Sequence, residues 1–202
     1  NTDSFTLSGG TLSGAIDGGL TGANTLTAGN VANTWTINGA NAGTVTGITG
    51  GFTNIANLNG GTGTDSFTLS GGTLSGAING GIGSNSLTGD NVANTWTITG
   101  VDTGSVNGIG GGFTNIANLI GGNSNDDFML AGGSLSGSVD GGAGGTNSLT
   151  ASDVTNTWTV TGADAGTVTG ISGGFANIGT LVGGSLNDSF TFSPGGILSG
   201  PI

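Results

Sequence analysis

Thr64–Ser75 reads TDSFTLSGGTLS, and Thr2–Ser13 reads the same letters in the same order. A verbatim duplication about 62 residues apart is the mark of a repeat architecture, in which no unit buries its apolar face alone. Moving outward, Trp35, Trp96 and Trp158 each stand inside Asn-Thr-Trp-Thr, and Phe52, Phe113 and Phe175 each follow Gly-Gly. The repeats run over approximately 1–63, 64–124 and 125–186, with a partial copy at 187–202.

Each long repeat divides further. Phe5, Leu26, Val45, Phe67, Leu87, Val106, Phe128, Leu149, Val168 and Phe190 recur at intervals of 19 to 22 residues, mostly between hydroxyl residues. Two further apolar ladders keep the same step. One runs Leu12, Trp35, Ile55, Leu74, Trp96, Ile116, Leu135, Trp158, Ile178, Leu198. The other runs Ile16, Ile37, Leu58, Ile78, Ile98, Leu119, Val139, Val160, Leu181, Ile202. Period-2 alternation such as Ser4-Phe5-Thr6 and Thr25-Leu26-Thr27 predicts strands with the apolar residue inward and hydroxyls outward. Gly18-Gly19, Asn38-Gly39 and Gly60-Gly61 supply the corners, because these residue types accept positive φ. Glycine interrupts every window and the strong helix formers Gln, Glu, Lys and Arg are absent, so no helix is expected. Pro194 fits a corner bulge better than a strand interior.

The pattern therefore predicts an all-β fold, a parallel β-helix or β-solenoid. It has about ten coils of 20–21 residues, three per long repeat, in a single domain over 1–202. Phe5, Leu26, Val45 and their equivalents are expected to stack in one interior column. The rule for parallel crossovers gives a right-handed winding. The third coil has the longest corner and carries Phe52, which is expected to form a periodic ridge on one face. The chain opens and closes in mid-pattern, which reads as a segment of a longer protein.

Composition alone would suggest a disordered linker: 48 of 202 residues are Gly and 5% are charged. The fixed period overrules that. All 11 acidic residues are Asp, and Lys, Arg, His, Glu, Cys and Tyr are absent. A chain without cations cannot neutralise phosphates, so nucleic acid and anionic membranes are poor partners, and neither nucleic-acid binding nor membrane insertion is expected. Thiol chemistry is excluded by the lack of Cys. No apolar run is long enough to span a bilayer, and no stretch reads as a signal peptide, so any targeting signal is expected elsewhere in a longer protein.

Phe52–Phe67, FTNIANLNGGTGTDSF, resembles segments of large secreted β-helical adhesins of bacteria, the filamentous-haemagglutinin-like and autotransporter-passenger-like proteins. The resemblance covers the whole chain as a repeat style. It implies an extracellular or cell-surface solenoid serving as stalk, filament unit or biofilm adhesin, with recognition carried by other domains. Its partners would be further coils, through end-to-end association or continuation of the chain, and surface glycans.

Gly60–Thr68 (GGTGTDSFT) also resembles the calcium-binding nonapeptide of RTX-type β-rolls, and Gly80–Thr88 (GGIGSNSLT) does so with Asn85 in place of Asp. Calcium takes six to eight oxygen ligands, which stacked turns can supply. The nonapeptide does not run in tandem, and the turns Gly121–Met129 and Gly183–Thr191 lose the inner glycine. No cofactor is therefore expected, and Asp65, Asn85, Asp126 and Asp188 stand as weak calcium candidates. A hydroxyl array beside the first ladder also suggests an ice-binding face. Asn107, Asp127 and Met129 break it. Catalysis is not expected. Asp126-Asp127 is the only adjacent carboxylate pair, and strand neighbours point to opposite faces. Trp35, Trp96 and Trp158 could stack on sugars, but their ladder position assigns them to the core.

Overall fold

The computed structural model describes residues 1–202. It contains strands, turns and bends, and no helix. Its 22 strands lie in two mixed sheets, one of 10 strands and one of 12. The chain forms two compact units, Asn1–Thr88 with Asn107–Ile116, and Gly89–Val106 with Ala117–Ile202.

In the first unit the strands are β1 (Ser4–Thr6), β2 (Ile16–Asp17), β3 (Thr25–Thr27), β4 (Thr34–Gly39), β5 (Ala42–Val45), β6 (Ile48–Thr53), β7 (Asn57–Asn59), β8 (Ser66–Leu69), β9 (Ile78–Asn79) and β10 (Ser86–Thr88). Two strands of the next stretch, β11 (Asn94–Gly100) and β12 (Thr103–Val106), belong to the second unit, and β13 (Phe113–Thr114) returns to the first. Except within β4–β6, and within the corresponding three-strand runs of the later repeats, consecutive strands change sheet at every step. β1, β3, β7, β9 and β13 are parallel neighbours in the 10-stranded sheet. β2, β6, β5, β4, β8 and β10 are neighbours in the 12-stranded sheet. Like meets like along each row: Phe5 pairs with Leu26, Leu26 with Leu58, and Leu58 with Ile78.

The second unit repeats this logic. Its remaining strands are β14 (Asn118–Ile120), β15 (Asp126–Leu130), β16 (Val139–Asp140), β17 (Ser148–Thr150), β18 (Thr157–Gly162), β19 (Ala165–Val168), β20 (Ile171–Ala176), β21 (Thr180–Val182) and β22 (Ser189–Phe192). Trp96 pairs with Phe128 and Phe128 with Leu149 in one sheet, while Trp158 pairs with Phe190 in the other.

One expectation is corrected. Val45 does not stack on Leu26 as the next coil. It lies antiparallel opposite Trp35, and Val45 and Ile48 flank a second tight turn, so β4, β5 and β6 form a three-stranded meander. The cause is local. Asn41 (φ 52) and Gly47 (φ 87) sit in the left-handed region, and each closes a two-residue loop between short alternating segments. Closing such a hairpin orders far less chain than wrapping a further coil. The 20- or 21-residue steps along a row therefore alternate with steps of 32. The three equal coils per repeat are replaced by plain strands plus one meander. Phe5 and Phe67, identical positions of consecutive repeats, consequently lie in different sheets and not in one column.

The inward assignment of the ladders holds away from the chain ends; the terminal members Leu12 and Ile202 are exposed, because no neighbouring strand covers them. Leu26, Trp35, Ile37, Ile55, Phe67, Leu87 and Leu119 have 0% exposure, while their strand neighbours Thr25, Thr36, Ser66 and Thr68 are partly open. Trp35 stacks on Phe67 with centroids 5.5 Å apart and an interplanar angle of 13°. Phe52 meets the same indole edge-on at 6.0 Å and is itself buried, pairing with Ile16 of β2. The expected surface ridge of Phe52 is thus a core aromatic, brought inward by the meander. Burial of each such ring contributes about 1.5–3 kcal/mol. Pro194 occupies a turn, with Gly195 beside it at φ 88.

Gly43, in the middle strand of the meander, is sterically required. A Cβ there would collide with the Thr36 carbonyl oxygen and lie 2.9 Å from the Phe52 ring. Gly43→Ala is expected to lower stability by about 1–3 kcal/mol through overpacking. Gly14→Ala, where a Cβ meets nothing within 4 Å, is expected to change it by less than about 0.5 kcal/mol. Urea unfolding of the two variants checks the pair.

Candidate functional site

The most organised polar feature is a series of Asn and Asp side chains inside the corners, each two residues before a first-ladder or Trp position. They are Asp3, Asn24, Asn33, Asp65, Asn85, Asn94, Asp126, Asn147, Asn156 and Asp188. Asn24, Asn33, Asp65, Asn85, Asn94, Asp126, Asn147 and Asn156 are buried. Burial of so many polar groups is tolerable only where they are hydrogen-bonded, and here they bond to one another from strand to strand.

In the first unit Asp65 is the centre of the best-developed run. Its backbone N–H donates to Asn85 Oδ1 at 2.9 Å. Its Oδ1 accepts from the Asn33 backbone N–H and from Asn33 Nδ2, both at 2.8 Å. Asn33 Nδ2 is shared further with the carbonyls of Gly29 (2.9 Å), Val31 (2.7 Å) and Gly60 (3.1 Å). A separate pair joins the Asp3 N–H to Asn24 Oδ1 at 2.9 Å.

The second unit carries the same arrangement. Asp126 Oδ1 accepts from the Asn94 N–H at 2.9 Å and from Asn94 Nδ2 at 2.6 Å, and the Asp126 N–H donates to Asn147 Oδ1 at 2.9 Å. Asp188 Oδ1 accepts from the Asn156 N–H at 2.8 Å and from Asn156 Nδ2 at 2.9 Å.

Electrostatics separate these carboxyls. Burial pushes Asp65 above the usual carboxylate range, partly offset by the two Asn33 donors. Asp126 is pushed up by burial in the same way, against the pull of Asn94 and with the help of the Asp127 charge. At the surface, Asp17 is held below the usual range by the Asn54 amide, which donates to it at 2.7 Å, and by the Gly19 N–H.

The calcium candidates are thus divided. Asp65 and Asn85 are brought into direct contact, whereas Asp126 and Asp188 lie in different runs of the second unit. No three acidic side chains converge, and Asp65 Oδ1 is occupied by amide donors inside the fold. The geometry assigns these residues to corner hydrogen bonding.

The Ser/Thr residues do not form one array. In the first unit Thr34, Ser66 and Ser86 align in the 12-stranded sheet, as do Thr36, Thr68 and Thr88. Asn57 and Asn59 flank Leu58 in the other sheet. Asp127 and Met129 are exposed on either side of Phe128, Asn107 is exposed, and the Ser148 hydroxyl donates to Asp127 at 2.6 Å. Asp126 and Asp127 face opposite ways, one buried and one exposed. Trp35, Trp96 and Trp158 are fully buried and stacked on Phe67, Phe128 and Phe190.

The sequence signal for Asn33, Asn94 and Asn156 as a class is their position. Each precedes Thr-Trp by one residue, just as Asn24, Asn85 and Asn147 precede Thr-Leu or Ser-Leu. The chain matches no protein-family model, and no characterised protein or solved structure is significantly similar to it.

Proposed function

We propose that the chain is a structural segment of a bacterial surface adhesin, wound as a right-handed β-solenoid that serves as an extracellular rod or filament unit. The observation that carries this reading is the exchange of successive strands between two sheets, with like residues in parallel register and Asn/Asp runs threading the corners. Such an arrangement adds length without changing its cross-section, and its stability grows by nearest-neighbour contacts. The polar surface, free of Lys and Arg, suits a spacer exposed outside a cell: it offers no trypsin site and little attraction to phosphate. Its surface carries hydroxyls, amides and carboxylates, together with exposed apolar side chains such as Leu20, Ile82 and Val101.

Partners in this reading are further strands on the exposed edges of the two sheets, where backbone groups await pairing. Electron microscopy and fibre diffraction of purified protein test it. Stiff rods with an axial strand repeat of about 4.8 Å are expected. Compact particles that saturably bind a single glycan would replace the structural role with that of a binding module.

A further inference from the structure

At three corners an Asn side chain meets a glycine and a carbonyl oxygen of the neighbouring rung in the same way. A Cβ placed on Gly80 would collide with Asn85 Nδ2 and the Asn115 carbonyl oxygen, and those two atoms are hydrogen-bonded at 3.0 Å. A Cβ on Gly141 would collide with Asn147 Nδ2 and the Asn177 carbonyl oxygen, bonded at 2.9 Å. Gly18 repeats this with Asn24 Nδ2 and the Asn54 oxygen, at 3.0 Å. The corner position therefore asks for one acceptor, which takes an N–H, and one donor aimed at a carbonyl.

Asp65 and Asp126 occupy the same position with different chemistry. A Cβ on Gly60 would collide with Asp65 Oδ2 and the Gly80 carbonyl oxygen; on Gly121, with Asp126 Oδ2 and the Gly141 carbonyl oxygen. Oδ2 thus stands where the asparagines put an N–H, facing an oxygen. Both Oδ2 atoms are buried and receive no donor. An ionised carboxylate would place charge against a carbonyl dipole of the wrong sign. The chain has no Lys, Arg or His with which to compensate it. A carboxylic acid supplies what the position needs, with Oδ1 as acceptor and Oδ2–H as donor.

We propose that Asp65 and Asp126 are held as neutral acids, each donating its Oδ2 proton to the carbonyl oxygen of the neighbouring rung, so that the fold is strengthened by acid and loosened as these two groups ionise.

The direction of their pKa displacement agrees with this geometry. A folded-state pKa raised above the unfolded value gives stability that is complete below about pH 3.9, and that stability is lost as pH rises through the folded-state value. Around Asp65 the facing groups are Asn33, Asn85, Gly60 and Gly80, none of which titrates. Around Asp126 they are Asn94, Asn147, Gly121 and Gly141; Asp127 alongside adds repulsion, Asp90 contributes its carbonyl to Asn94, and Asp140 precedes Gly141. Asp17 works in the opposite direction, its contribution being lost as pH falls through its lowered pKa, but it is fully solvated and screened.

The test uses Asp65→Asn and Asp126→Asn, with Asp153→Asn as a control for loss of one exposed charge. Melting is followed by circular dichroism between pH 4 and 7. The wild type is expected to melt higher at pH 4. Each corner variant is expected to melt at least about 2 °C above the wild type at pH 7 and to depend less on pH. The control is expected to leave the pH slope unchanged. Carboxyl carbon NMR of the wild type reads the protons directly: two aspartates should remain protonated well above pH 3.9. Corner variants that melt lower than the control, or a spectrum with every aspartate ionised at pH 5, would overturn the proposal.

Discussion

Phe67→Asp is expected to abolish cooperative folding of the first unit at neutral pH. Phe67 is fully buried, stacks on Trp35, and lies in register between Trp35 and Leu87. Removing the ring alone costs about 3–5 kcal/mol, since the rungs cannot collapse around the gap. The substituted carboxylate then adds a charge with no cation anywhere in the chain to meet it. The sum rivals the roughly 5–15 kcal/mol that hold a typical domain together. Thr68→Asp places the same charge one residue along, on the partly open face. It is expected to cost less than about 1 kcal/mol. Thermal and urea unfolding by circular dichroism compare the two. Similar losses for both would contradict the alternation of inward and outward residues on β8.

The second large effect is expected at Asn33. Its amide serves three backbone carbonyls and Asp65 Oδ1, and its backbone N–H serves the same carboxyl. Asn33→Ala keeps the backbone bond and strips the amide donor from all four acceptors. At about 1–3 kcal/mol for each buried group left unmet, tempered because two hydrogens are shared among four acceptors, the loss should be about 3–5 kcal/mol. Asn33→Asp should be worse at pH 7, because it sets a second carboxylate against Asp65 where donors are needed. Part of that extra loss should return on acidification. Urea midpoints at pH 4 and 7 measure both. A cost below about 1 kcal/mol for the alanine variant would mean that the corner runs follow the fold without holding it.

How far the chain could be read without coordinates differs by feature. The three apolar ladders were legible, because a residue that must point inward recurs at the strand step whatever its partner is. Ile37, Leu58 and Leu87 are buried as their spacing requires. Pairing was not legible from the same ladders. Trp35 and Val45 carry the signature of successive coils and also that of the two arms of a hairpin, since both give alternating hydroxyl and apolar residues. The two-residue loops ending in Asn41 and Gly47 decide between them.

The candidate site shows the same division. Asp65 and Asn85 were singled out by their glycine-rich surroundings, and they do touch. The other neighbours of Asp65, Asn33 and the Gly80 carbonyl, come from 32 residues upstream and from the next rung. The five sheet visits of each repeat, four plain strands and one meander, are an odd number and so send Phe67 to the sheet opposite Phe5.

What the amino-acid sequence determined by itself was the repeat, the all-β character, the inward and outward residues and the absence of any compensating cation. Each depends only on residue type and spacing along the chain. What the tertiary structure decided was which rung lies beside which, that Phe52 turns inward, and that two of the eleven aspartates sit with an oxygen facing an oxygen. Those depend on distances between residues far apart in the chain, set by whether a short loop closes a hairpin or turns a corner.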